Sequence, residues 1–236
     1  SQSPEFLKFF ADFKKFMVTK VNPTEIDTTG EYPAEVIDGL RKLGAFGMKI
    51  PKEYGGLGLT QVEYDTVMKF LGSYDANITA LLSAHQSIGA PQPLKMFGTE
   101  AQKQQYLPRF AAGTISAFAL TEPEVGSDPA CMKSLVTRTD TGYILNGRKL
   151  WCTNSTLAEI IVVMAKHDDT GKISAFILDM STTGIVIEHR CRFMGLKALS
   201  NAQIKFTDVF IPKENLIGNE GQGLKIALAT LNTGRL

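Results

Sequence analysis

The feature that most constrains this chain is a change of hydrophobic period near its midpoint. Up to about residue 113 apolar residues recur at three-and-four spacing, whereas from about Ile115 to Pro212 they come in short β-branched and aromatic runs. The first pattern lines one stripe of a helix and the second one face of a strand, and no single element satisfies both. The chain must therefore divide into a helical part followed by a β part.

The helical part carries explicit start signals. Ser3 before Pro4 reads as an N-cap with proline at the first helical position, followed by an apolar face of Phe6, Phe9, Phe10, Phe13, Phe16 and Met17. A second helix is expected from Pro33, presenting Val36, Ile37, Leu40 and Leu43. Thr60-Gln61-Val62-Glu63 and Thr99-Glu100-Ala101-Gln102 are capping-box patterns, each opening a further helix, and Ile78 to Ile88 forms another run. Pro51, Gly55-Gly56-Leu57-Gly58, Pro91, Pro93 and Gly98 read as breakers between them.

In the β part, strands are expected at Ser134–Thr139, Tyr143–Leu145, Ile160–Ala165, Ile173–Leu178, Ile185–Glu188 and Ile204–Ile211. Asp140-Thr141-Gly142, Asn146-Gly147, Asp169-Thr170-Gly171 and Thr183-Gly184 read as the turns between them. Short strands without intervening helices point to an antiparallel sandwich or barrel and away from a parallel nucleotide-binding sheet. Helical spacing returns after Gly223 with Leu224, Ile226, Ala227, Leu228 and Leu231, and runs to Leu236 without a C-cap. The expected division is 1–113 helical, 114–215 β-barrel and 216–236 the start of another helical unit.

Composition narrows the function classes. Twenty-five Lys and Arg against 24 Asp and Glu give a net charge of +1, which lacks the cationic excess of a nucleic-acid binder. No apolar stretch reaches the ~20 residues of a membrane-spanning helix. The opening SQSPEFLKFF is interrupted by acidic and polar residues, unlike a signal peptide. Cys131, Cys152 and Cys191 are odd in number and widely spaced, which fits a reducing compartment rather than a disulfide framework or zinc site. Gly218-Asn219-Glu220-Gly221-Gln222-Gly223 precedes a helix but spells G-x-x-G-x-G outside any βαβ unit, so a strand-to-helix turn is the plainer reading than a phosphate loop. His85 reads as a helix residue hydrogen-bonded locally, and His167 and His189 as solvated residues beside turns.

Two segments stand out from scaffolding. Phe118-Ala119-Leu120-Thr121-Glu122-Pro123-Glu124-Val125-Gly126-Ser127-Asp128 leaves a strand for a loop rich in hydroxyls and free N–H groups, a suitable lining for a polar planar ligand. Gly147-Arg148-Lys149-Leu150-Trp151-Cys152-Thr153-Asn154 carries the only Trp, for which core packing is the plainer reading and a ligand wall the alternative. The residues alone support a ligand-binding candidate.

These residues resemble those of the acyl-CoA dehydrogenases, flavoenzymes of fatty-acid β-oxidation and amino-acid catabolism. Ile50-Pro51-Lys52-Glu53-Tyr54-Gly55-Gly56-Leu57-Gly58 resembles the family's P-x-E-Y-G-G-x-G loop, and Gly98 to Lys103 with Tyr106-Leu107-Pro108 its G-T-x-x-Q-K-x-x-Y-L-P helix. Thr121-Glu122-Pro123 with Gly126-Ser127-Asp128 is similar to its first signature, and Trp151-Cys152-Thr153-Asn154 to its W-I-T-N segment. Met194 to Lys197 and Val209 to Gly218 are similar to the end of its middle domain. Ala84 to Gly89 and Leu231 to Arg235 look most like the long- and very-long-chain branch.

The resemblance implies an N-terminal helical domain, a β-barrel middle domain and a C-terminal four-helix domain of which only the start falls in this chain. It implies FAD, contacted by Phe118, Leu120, Thr121, Ser127, Trp151, Cys152 and Thr153. An acyl-CoA would lie by Ser127, Asn232, Thr233, Gly234 and Arg235, with Ser127 alternatively donating to the flavin phosphate. Electrons would pass to electron-transfer flavoprotein, from a parent that is a homodimer or homotetramer, cytoplasmic in a bacterium or in the mitochondrial matrix of a eukaryote. The catalytic glutamate of most relatives belongs to the C-terminal domain, and the alternative slot on the preceding helix is Gly234 here, so these 236 residues alone are expected to be inactive. Two other functions share the fold: a flavin oxidase or monooxygenase, and a non-catalytic flavin-binding or assembly protein.

Overall fold

The computed structural model describes residues 2–235; Ser1 and Leu236, where the sequence reading leaves its last helix uncapped, lie outside the described residues. The helical part holds α1 (Pro4–Lys20), α2 (Pro23–Thr29), α3 (Ala34–Lys42), α4 (Gln61–Tyr74), α5 (Ala76–Ser87), α6 (Pro91–Phe97) and α7 (Glu100–Ala111). Ser3 caps α1 by accepting from the Phe6 amide, and both expected capping boxes form. Glu63 also accepts from the Ser3 amide at 3.2 Å, so the box that starts α4 anchors the start of α1. Phe6, Phe13 and Met17 are buried in the helical core, with Phe9, Phe10 and Phe16 packed at its edge.

Two helices depart from the sequence reading. Residues 23–29 form α2, capped by the Asn22 side chain and ended by Gly30 in the left-handed conformation at φ 67°. Pro91 and Pro93, read as breakers, lie in the first turn of α6. First-turn N–H groups have no intrahelical acceptor, so proline loses nothing there.

The β part holds β1 (Ser116–Ala119), β2 (Leu135–Arg138), β3 (Gly142–Cys152), β4 (Ile160–His167), β5 (Ile173–Asp179), β6 (Ile185–Arg190), β7 (Ala202–Pro212) and β8 (Leu216–Ile217). The expected antiparallel barrel is corrected to an open mixed sheet of order β6-β7-β3-β2-β4-β5-β8, which does not close. β1 pairs parallel with Ile160–Val163 of β4, and β2 parallel with Lys166 and His167 of the same strand. The chain thus leaves β4 after Ala119, makes a long loop, and returns to β4 at Leu135. Alternation marks which residues face the core but not the direction of the partner strand.

Asn146-Gly147 is a second correction: β3 runs through it beside the equally long β7, and the pair forms a bulge rather than a turn. Gly147 adopts φ 153°, and a Cβ there would come within 2.3 Å of Ser134 Oγ. β4 and β5 are buried on both faces. Ile160, Val162, Met164 and Ile177 pack toward α6, α7 and α8 (Gly223–Thr233), while Ile161, Val163 and Phe176 pack toward β3 and β7. The helical part is fastened to the sheet by Gln102, whose Nε2 donates to the carbonyls of Glu214 and Leu216, both at 2.8 Å.

The glycine run before α8 is a turn closed by Gln222, whose Oε1 accepts from the Asn219 amide at 3.1 Å, and tied to the sheet by its own acid. Glu220 is held by Arg138 and by the Tyr143 hydroxyl at 2.8 Å, and its carboxyl is lowered to about 2, with the Arg138 hydrogen bond the largest cause. His167, expected in solvent, is instead fully buried, with Nε2 2.7 Å from Ser174 Oγ. The tight hairpin after it keeps His167 on the strand, between Tyr143 and Phe176. His189 is exposed, as expected.

Candidate cofactor site

The gap along β4 between β1 and β2 is where the site forms. After Ala119 the chain leaves the sheet, so Leu120 and Thr121 project beside the end of β3 rather than into a ladder. There β3 carries a register shift against β7 between Lys149 and Cys152. The extra residue frees the Leu150 amide from β7, and it donates to the Thr121 carbonyl at 2.8 Å. Trp151 sits in this bulge at φ 57°, a conformation that bulky L-residues avoid and that marks a constrained site. Its ring is half exposed and lies 5.7 Å from that of Phe193.

The two segments singled out in the sequence thereby line one cleft of about 150 Å³: Phe118, Leu120 and Thr121 on one side, Leu150, Trp151 and Thr153 on the other. Ala84 and Ile88 from the end of α5 and Leu231 from α8 complete it. None of these three, nor Leu150, is assigned to the cofactor in the sequence reading, although each falls within a segment noted there. A larger groove of about 460 Å³ lies at Glu122–Glu124 with Lys133, Arg148 and Lys205, and holds none of the residues assigned to a cofactor. The smaller cleft has the aromatic walls and convergent hydroxyls of a planar-ligand site, whereas the larger is a charged surface groove.

The hydroxyls are prepared for a ligand. Asn201 Nδ2 donates to Thr153 Oγ1 at 3.0 Å, which leaves the Thr153 proton to be offered elsewhere. Asn201 Oδ1 and Asn154 Oδ1 are buried without a protein partner. Of the cleft residues, Thr153 with its free hydroxyl proton between the aromatic rings of Phe118 and Trp151 fits a flat, polar heteroaromatic group such as a flavin.

The other expected contacts lie apart from this cleft. Cys152 is buried in the sheet core, where burial pushes its thiol up to about 12. Ser127 is exposed on the loop and does not line the cleft. Near the end of α8, Thr233 Oγ1 donates back to the Ala229 carbonyl at 3.0 Å, and Arg235 Nη1 donates to Asn232 Oδ1 at 3.3 Å. Gly234 lies against the end of α5, where a Cβ would come within 2.7 Å of Ile88 Cγ2, itself a cleft residue.

His85 is no candidate base. The Ser116 amide donates to its Nδ1 at 3.1 Å, which leaves Nε2–H to donate to the Phe46 carbonyl at 2.9 Å. Burial lowers its pKa to about 4, so the ring is neutral. Its hydrogen bonds are not local, as expected from the sequence, but join α5 to β1 and to the Phe46 turn. The cleft lining includes no Asp or Glu among the described residues. Nor is there a His, Cys, Asp and Glu cluster able to hold a metal, or a helix long and apolar enough to cross a membrane, among them.

Residues 3–114 match the family model of the acyl-CoA dehydrogenase N-terminal domain, and residues 117–209 that of the acyl-CoA dehydrogenase middle domain. The chain belongs to the acyl-CoA dehydrogenase family. It is 50% identical over 234 residues to the probable acyl-CoA dehydrogenase FadE10 of Mycobacterium tuberculosis, covering 97% of this chain and 36% of that protein. It is 38% identical over 246 residues to the human very long-chain specific acyl-CoA dehydrogenase, a mitochondrial protein, covering 99% and 37%. The butyryl-CoA dehydrogenase structure of Megasphaera elsdenii superposes with TM-score 0.92 at 36% identity, over 100% of this chain and 64% of that one. The acyl-CoA dehydrogenase of Bacillus anthracis, solved in complex with FAD, gives 0.88 at 34% identity, over 100% and 40%. This family chain therefore spans little more than a third of the length of the curated relatives it matches.

Proposed function

We propose that this chain forms the flavin-facing part of an FAD-dependent acyl-CoA dehydrogenase that converts an acyl-CoA thioester to the trans-2-enoyl-CoA and passes electrons to electron-transfer flavoprotein. The observation that carries this reading is the single cleft formed by Phe118, Leu120, Thr121, Trp151 and Thr153. FAD, when bound, supplies the acceptor for the hydride lost from the substrate β-carbon. The chain's own residues bind and orient. Phe118, Leu120 and Trp151 provide apolar walls that exclude water, and Thr121 and Thr153 offer hydroxyls at the rim. Ser127 closes the loop on the flavin phosphate or the acyl-CoA, while Asn232, Thr233, Gly234 and Arg235 receive the CoA portion. Because the cleft lining lacks a carboxylate, the base that removes the α-proton is assigned to the C-terminal helical domain of the parent protein, which follows the divisions 1–113 and 114–215 and of which 216–236 is the start.

Titration with FAD tests this directly, since Trp151 is the chain's only tryptophan. Bound flavin is expected to quench its emission and to remain with the protein through gel filtration as visible absorbance. Trp151→Ala is expected to weaken FAD binding by roughly tenfold, the scale of a lost aromatic wall of ~1–2 kcal/mol, without loss of helix or sheet signal. In the parent protein, acyl-CoA is expected to bleach the flavin absorbance. Unchanged Trp151 emission and colourless protein at saturating FAD would refute the reading.

A further inference from the structure

Glu122 and Lys149 are not among the cofactor contacts, yet they form an ion pair that sits between the two segments lining the cleft. Lys149, two residues before Trp151, is fully buried, and Glu122, next to Thr121, is almost so. Lys149 Nζ donates to Glu122 Oε1 at 2.9 Å and to the Leu120 carbonyl at 3.1 Å, with Met132 Sδ at 3.9 Å beside it. The Glu122 carboxylate also accepts from the backbone amides of Lys133 and of Ser134, the latter at 2.9 Å. Glu122 and Val125 exchange two further backbone hydrogen bonds, which fold the chain back at Pro123. One carboxylate thus closes the loop from Glu122 to Ser134 at its base, and one ammonium ties that loop to β3.

A buried ion pair is a poor way to gain stability, because an apolar pair of the same volume is often as stable or more so. What an apolar pair cannot do is satisfy the Leu120 carbonyl and the two loop amides in one orientation. Burial alone would raise the Glu122 carboxyl, but the Lys149 charge and these donors hold it below its ordinary value, while burial lowers the Lys149 ammonium against the opposing pull of Glu122.

We infer that Glu122 and Lys149 are positioning residues for the flavin cleft, fixing the Leu120–Thr121 rim against the Leu150–Trp151–Thr153 rim and closing the loop that carries Ser127. The inference rests on the reading of that cleft as the flavin site. The test compares Glu122→Gln, Lys149→Met and the double variant in the full chain by three measurements: thermal midpoint, FAD titration, and acrylamide quenching of Trp151 in the flavin-free protein. Each single variant leaves one buried polar or charged group unpaired and is expected to melt below the wild type. The double variant removes both charges and is expected to recover much of the thermal midpoint. FAD affinity of the double variant is nevertheless expected to stay about tenfold or more below wild type, the scale of lost supporting contacts. Its Trp151 is expected to be quenched more readily than in the wild type. A double variant that regains stability, FAD affinity and wild-type quenching together would overturn the inference and leave the pair a mere structural filler. Glu122→Asp, which keeps the charge but withdraws the carboxylate by one methylene, supplies a milder variant should the others fail to fold, with the same expected loss of affinity. If wild-type protein binds no FAD, the flavin reading fails by itself. Acrylamide quenching then decides the positioning role: wild-type quenching in the variants overturns it, and increased quenching upholds it for whatever ligand the cleft takes.

Discussion

His85→Gln is expected to make the chain less sensitive to acid. In the native structure His85 is fully buried and neutral, and burial lowers its pKa from 6.5 to about 4. The unfolded chain takes up a proton at His85 as pH falls through about 6.5, whereas the folded chain resists until about 4. The stabilisation conferred by keeping the ring neutral is therefore complete above pH 6.5 and is lost progressively between 6.5 and 4. At about 1.36 kcal/mol per unit of pKa difference, the loss attributable to His85 reaches about 2 kcal/mol by pH 5 and about 3 kcal/mol by pH 4. Glutamine can place an amide donor near the Phe46 carbonyl but cannot readily accept from the Ser116 amide. At pH 7.5 the variant should thus be less stable by roughly 1–3 kcal/mol, the cost of one buried unpaired amide. Urea denaturation of both proteins at pH 7.5 and pH 5.0 reads the effect, with the carboxylates and His167 common to both and cancelling. The stability gap between wild type and variant should shrink by about 2 kcal/mol at the lower pH. A gap of the same size at both pH values would refute the assignment of His85 as a buried neutral histidine.

Two further outcomes follow from burial and backbone shape. Of the three thiols, Cys131 alone is exposed, while Cys152 and Cys191 are buried, Cys152 with its pKa pushed up to about 12. Mass spectrometry after brief iodoacetamide treatment of native protein should therefore find the label on Cys131, and the other two labelled only after denaturation; early labelling of Cys152 would contradict its burial. Gly147→Ala should lower stability by about 2 kcal/mol or more, because φ is 153° and the new Cβ would meet Ser134 Oγ at 2.3 Å. A thermal midpoint unchanged by that substitution would mean that the β3–β7 pairing can shift at this bulge.

What was legible in the sequence was local. The capping boxes at Thr60–Glu63 and Thr99–Gln102 need only four consecutive residues, and both form as read. The same locality explains the errors at α6 and β3. Pro91 and Pro93 break helices in the interior but not in a first turn, and Asn146-Gly147 makes a hairpin only when the flanking strands pair with each other. Here β3 pairs instead with β7 on both sides of the bulge, from Gly142 opposite Pro212 to Cys152 opposite Ala202, so the ladder continues through a dipeptide that would otherwise turn.

The cleft was half legible for a related reason. Phe118, Leu120, Thr121, Trp151 and Thr153 stand out as aromatic and hydroxyl residues beside Pro and Gly, and resemblance to a family assigns them to a flavin. Their meeting depends on β1 and β2 sharing one edge of β4 in the parallel sense, which no period in the sequence encodes. A trace of it is nonetheless written in β3. Lys149 occupies an inward position between exposed Arg148 and half-buried Leu150, and a fully buried lysine is tolerable only beside an acid. The acid is Glu122, 27 residues earlier. A buried lysine in one segment and a glutamate in the other therefore imply that the two segments touch, and their pairing places Thr121 across from Trp151.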